Sequence, residues 1–112
     1  MKENKLADLS MDFSIKIVNF CREIKGHYHL INQLERAGTS IGANICEANY
    51  AHSKADFIAK LQIALKECYE TEYWLKLFLK TNLAEPEKIK DLYNLCGTLR
   101  RILVSSINTA KQ

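Results

Sequence analysis

Leu6, Leu9, Phe13, Ile17, Phe20 and Ile24 follow one another at steps of three and four, the spacing that sets side chains on one face of an α-helix. The same stepping recurs in three further segments, separated by Lys25-Gly26, by His52-Ser53 and by the run from Asn82 to Pro86. No segment alternates with period two, so nothing reads as a strand. In a chain of 112 residues, four amphipathic stripes joined by short connections predict an all-α fold. The expected architecture is an antiparallel up-down-up-down four-helix bundle. It forms a single domain over 1–112, with helices near 6–25, 30–51, 54–81 and 86–110.

Local signals agree with these limits. Lys25-Gly26 offers a basic last turn followed by a residue that accepts positive φ. Ser53-x-x-Asp56 resembles a capping box, with Asp in place of the usual Glu or Gln. Pro86 suits the first position of a helix, where its missing N–H is harmless. With 47% hydrophobic residues, one Pro and four Gly, a disordered or turn-rich chain is excluded. No apolar run approaches the roughly 18 to 20 residues that cross a bilayer. Met1 to Lys5 lead into no continuous apolar segment, so a cytoplasmic protein with no membrane partner is expected.

The second helix carries three different faces. Leu34, Ala37, Ile41, Ile45 and Ala48 form an apolar stripe, and Gln33, Arg36, Ser40, Asn44 and Glu47 form a polar stripe beside it. Gly38 and Gly42, four apart, leave a shallow groove, which a large neighbour such as Trp74 or Phe78 is expected to fill. A partly buried guanidinium needs a paired acceptor. The polar stripe is therefore read as a structural network of Arg36, Ser40, Asn44, Glu47 and Glu70, in preference to a site where Arg36 receives an anionic ligand. Arg36 and Glu47 lie too far apart along one helix to touch, so their partners come from another helix or subunit.

The third helix has more apolar surface than a bundle needs. Phe57, Leu61, Ala64, Cys68, Leu75 and Leu79 form its main stripe. A second set of Ile63, Trp74, Leu77 and Phe78 is the candidate oligomer interface, and Tyr69 and Tyr73 occupy a third sector.

Few groups carry chemistry. Cys21, Cys46, Cys68 and Cys96 fall one per helix without a C-x-x-C pair and are expected to be reduced, buried thiols. No Glu-x-x-His pair, phosphate loop or HExxH motif is present, so no enzyme activity, metal or cofactor is expected. His52 reads as an exposed loop imidazole. The net charge of +3 and pI near 8.7 are only mildly basic. Lys54, Lys60, Arg100, Arg101 and Lys111 are the candidate nucleic-acid contacts, and a homo-oligomer would repeat them around its surface.

Two stretches carry a family resemblance. One is Gln33-Leu34-x-Arg36-Ala37-x-x-Ser40-Ile41-x-x-Asn44-Ile45-x-Glu47. The other runs from Ser53-Lys54-x-Asp56-Phe57-x-x-x-Leu61-x-Ile63-Ala64-Leu65-Lys66-Glu67 to Glu70-Thr71-Glu72-Tyr73-Trp74-Leu75. Together they resemble the four-helix-bundle proteins named after reading frames in intervening sequences of 23S ribosomal RNA genes. These are related to the accessory variability proteins of diversity-generating retroelements. The resemblance implies a homo-oligomer, a pentameric ring in relatives, without established enzyme activity. In the retroelement branch it implies a basic ring that binds nucleic acid and a reverse transcriptase. Two readings follow: a non-enzymatic oligomer weakly associated with RNA or DNA, or a structural or protein-interaction oligomer that binds neither.

Overall fold

Asn4 accepts the Ala7 N–H on its Oδ1 at 3.0 Å and so starts α1 (Lys5–Glu23). In the computed structural model, which describes residues 4–112, α1 stops short of the expected Lys25. Ile24 is already extended, and Gly26 (φ 78°) and His27 (φ 51°) both turn through the left-handed region. The His27 carbonyl then accepts from Leu30 and Ile31, so α2 (Tyr28–Asn49) begins and ends slightly earlier than its apolar pattern suggests. Ser53 caps α3 (Lys54–Lys80) as expected, its Oγ accepting the Asp56 N–H at 3.0 Å. That helix closes without glycine. Asn82 (φ 58°) takes the left-handed position while the Asn82 and Leu83 N–H groups donate to the Leu79 and Phe78 carbonyls. Pro86 then opens α4 (Pro86–Lys111).

Each helix packs on its chain neighbours, and α1 also packs on α4 to close the bundle. Cross-helix contacts pair rising with falling positions. Ile17 meets Gly38 while Cys21 meets Ile31; Glu47 meets Lys60 while Arg36 meets Glu67. Lys54 reaches Gln112 while Cys96 meets Cys68, so neighbouring helices run antiparallel. The result is a rod of 43 × 22 × 19 Å whose interior holds Phe13, Ile17, Leu34, Ile41, Ile45, Leu61, Leu75, Leu99 and Leu103.

Two expectations change. Phe78 belongs to the core rather than to an outer face, fully buried beside Phe20 with ring centroids 6.5 Å apart. The core row of α3 passes through Cys68, Thr71, Leu75 and Phe78. Thr71 hides that register because it is polar, yet its hydroxyl donates to the Glu67 carbonyl at 2.7 Å and it packs as an apolar residue. The glycine groove of α2 is filled by α1, not by Trp74 or Phe78. A Cβ on Gly38 would lie 3.0 Å from Ile17 Cγ1 and Cγ2, and one on Gly42 would lie 3.2 Å from Ser14 Oγ.

These contacts predict opposite signs for two glycine substitutions in urea denaturation. Gly38→Leu should cost about 1–3 kcal/mol by forcing α1 away. Gly97→Ala should stabilise by up to about 1 kcal/mol. Its Cβ meets the tips of the Arg101 and Arg100 side chains, at 3.3 and 3.5 Å, and these can swing aside.

Candidate functional site

Arg36 projects from α2 onto α3 and clasps two carboxylates. Its Nη1 lies 3.5 Å from Glu67 Oε1, and its Nη2 donates to Glu70 Oε2 and to Gln33 Oε1 at 3.2 Å. Glu70 Oε2 also accepts the Trp74 indole N–H at 3.0 Å. One guanidinium thus offsets two like charges set three residues apart on α3. Only a planar fork with several donors spans both. The Arg36 side chain is 47% exposed, which limits the contribution of each pair.

The other members of the polar stripe are elsewhere. Ser40 Oγ donates to the Arg36 carbonyl at 2.6 Å, and Asn44 Nδ2 to the Ser40 carbonyl at 2.8 Å. Both therefore satisfy themselves on their own helix. Glu47 is exposed and pairs with Lys60 at 3.3 Å, outside the Arg36 clasp. Glu67 and Trp74 are the clasp members that sequence reasoning did not assign to it. Antiparallel register was the available signal: counting outward from the Tyr50–Ser53 connection sets Arg36 level with Glu67, and Glu47 level with Asp56, one turn from Lys60.

Of the candidate nucleic-acid contacts, Lys54 and Lys111 lie at the same end of the bundle, while Lys60 and Arg100 are taken up by carboxylates. Lys60 is engaged by Glu47, and Lys54 Nζ donates to the Gln112 backbone oxygen at 3.1 Å. Arg100 Nε donates to Glu72 at 2.8 Å and lies over the Tyr69 ring, 5.9 Å from its centroid. The Glu72 hydrogen bond holds the Arg100 pKa above its ordinary value, with burial opposing. Arg101 reaches only Thr98, at 3.3 Å, and Lys111 is exposed at the end of α4. Among the described residues no three His, Cys, Asp or Glu side chains are placed to hold a metal ion. No described helix is long and apolar enough to cross a membrane.

The sequence model of the 23S rRNA-intervening sequence proteins matches residues 2–105. The chain belongs to that family. A solved structure with TM-score 0.86 and 42% identity agrees, covering 91% of this chain and 97% of its own. It is a protein of unknown function from the S23 ribosomal protein family of Bacteroides thetaiotaomicron. No curated protein matches the chain.

Within this intervening-sequence protein, the outer surface of α3 divides into two flanks. Ile63 is 42% exposed, and Trp74 and Leu77 are half-buried on the flank nearest the Arg36 clasp. Tyr69, 53% exposed, lies on the flank toward α4 beneath Arg100, and Tyr73, 59% exposed, stands between the flanks with its ring 5.0 Å from that of Trp74. Of the four thiols, Cys46 is exposed, against expectation, because its position on α2 points away from the apolar stripe. Burial pushes the Cys21 thiol up to about 12. Hydrogen bonding with Cys68 and burial also raise the Cys96 thiol, which donates to the Cys68 carbonyl at 3.5 Å.

Two measurements check these placements. Arg36→Ala should lower the urea midpoint by the equivalent of about 1 kcal/mol, with Arg36→Lys recovering only part. Lys16→Ala, which breaks an exposed pair at 3.8 Å, should change almost nothing. Thiol titration with a maleimide should label Cys46 alone in the native protein and all four cysteines in denaturant.

Proposed function

We propose that this chain is a cytoplasmic binding protein rather than an enzyme: a homo-oligomer of four-helix bundles, pentameric as the family resemblance implies, that associates weakly with RNA or DNA as an accessory component. The observation that carries assembly is the apolar flank of α3. Ile63, Leu77 and the Trp74 ring leave water-facing surface on a helix whose core row is already satisfied. Met11 and Ile15, 62% and 51% exposed, add a second apolar strip on α1. The net charge of +3 supports a polyanionic partner, since each added copy raises the field of the whole particle.

A specific observation favours the second reading, an oligomer that binds no nucleic acid. Lys60 and Arg100 are each occupied by a carboxylate of the same chain, which lowers their worth as phosphate contacts. Light scattering with oligonucleotide binding separates the two. The expected mass is a multiple of 12.9 kDa, and Ile63→Asp should reduce it. Binding should weaken with salt at a log–log slope of about −0.7 to −0.9 per phosphate contact. A multimer without binding at the lowest salt would leave the second reading, and a monomer would overturn assembly.

A further inference from the structure

Between the C-terminal half of α3 and the N-terminal half of α4 lies a cleft of about 430 Å³, within the size range of small-ligand sites. Lys76 and Lys80 stand on one wall and Lys90 on the other. No acid lines the cleft, and none of these lysines pairs with a carboxylate among the described residues. Two acids nearby in sequence, Asp91 and Glu72, are directed elsewhere, and Glu87, one turn before Lys90, lies outside the lining and pairs with none of the three lysines. Asp91 follows Lys90, but the helical turn carries it into the opposite cleft between α1 and α4. Glu72, one turn before Lys76, is held by Arg100 at 2.8 Å.

The opposite cleft makes a useful contrast. It is similar in size, about 500 Å³, yet Lys16 and Lys88 share it with Glu23 and Asp91, and Lys88 bonds Glu23 at 3.0 Å. Its charges cancel. Those of the α3–α4 cleft add, so three ammonium groups repel one another across a low-dielectric floor until an anion enters.

That floor narrows the choice of anion. Leu79 and the Tyr93 ring are half-buried there, lying over the buried Leu75 and Ile89, with the Asn94 amide at the edge. On α3, Tyr69 and Tyr73 fall on the same helical stripe as Lys76 and Lys80 beyond the cleft, more than half exposed, with Tyr69 under Arg100 and Tyr73 edge-on to Trp74. Cations along a backbone path with aromatic platforms beside them are what an unpaired strand uses. A duplex keeps its bases stacked inside and would meet only the lysines.

The geometry points to this cleft as the seat of a single-stranded nucleic acid. Lys76, Lys80 and Lys90 meet successive phosphates, and unstacked bases rest on Tyr93 and Leu79. This rests on the nucleic-acid reading above and relocates its contacts. Only the charge on Lys54, Lys60, Arg100, Arg101 and Lys111 would remain, as a diffuse background.

Fluorescence anisotropy on the full chain tests it, with a labelled single-stranded oligo(dT), a duplex of matched length and poly-glutamate as probes. The wild type should prefer the single strand. Lys76→Gln/Lys80→Gln/Lys90→Gln should weaken that binding about ten-fold or more and reduce the salt slope by about 2, from about −0.7 per contact. Lys54→Gln/Arg101→Gln/Lys111→Gln should stay within about two-fold of wild type. Tyr93→Leu should lower affinity while leaving the salt slope unchanged, a result that lost charge alone does not give. Thermal melts of each variant exclude misfolding as the cause. Wild-type binding that survives the cleft triple overturns the cleft but leaves the nucleic-acid reading intact. Absence of wild-type binding to either oligonucleotide overturns both. Equal affinity for duplex or for poly-glutamate overturns the single-strand assignment, because neither presents free bases.

Discussion

The approach of α1 to the glycine edge of α2 sets the spacing on which the rest of the bundle depends. Two glycines inside a helix cost about 1 kcal/mol each against alanine, so the sequence tolerates them only where closeness is used. Ile17 lies against Gly38, and Ser10 and Ser14 lie against Gly42. With α1 seated there, Phe13 and Ile17 close over Leu34, Ile41 and Ile45. The other edge of α2 faces α3, where Arg36 fastens Glu67 and Glu70. Three edges of a single helix thus hold one neighbour by shape, one by charge and the core by burial.

Helix number, helix type and most of the core were legible because apolar spacing of three and four is a direct image of helical geometry. Boundaries shifted where backbone conformation outranked charge. Ile24 turns extended before Lys25, and Asn82 supplies a left-handed cap that a search for glycine passes over. Thr71 shows why a polarity pattern misreads one row: a hydroxyl bonded to its own helix packs like a methyl, and without it Phe78 falls out of register. The Arg36 clasp was half legible. Its need for carboxylates follows from the chemistry of a guanidinium, but which carboxylates depends on the register between helices, and periodicity within one helix carries no information on that. Glu47 was misassigned for the same reason.

Charge is arranged less evenly than the net +3 suggests. The acids of α3 are largely committed: Glu67 and Glu70 to Arg36, and Glu72 to Arg100. Glu47 is committed to Lys60 across the same seam. Cancellation therefore concentrates on the α2–α3 seam and at the Glu72–Arg100 pair. Lys76, Lys80 and Lys90, whose helical angles set them beyond those pairs, keep their charge. A pI near 8.7 averages over this separation and hides it. The chemistry of the surface follows from which cations the fold has already used, and only secondarily from how many there are.

The described interior is almost wholly apolar. Ser10 and Thr71, its buried polar residues, return their hydroxyls to the Ala7 and Glu67 carbonyls. Among the described residues no buried side-chain nitrogen or oxygen lacks a partner. On the outside of the rod, α3 offers two unlike flanks. Assembly through the Ile63–Leu77 flank would leave the Tyr69–Lys80 flank outward on every copy. Sites that are weak one at a time would then act on one strand together, and effective concentration, rather than any new contact, would set the affinity. Such a protein needs no deep pocket. It would need a rigid rod that repeats a shallow one at fixed spacing, and the close packing of α1 on α2 and the clasp of α2 on α3 make the single bundle such a rod.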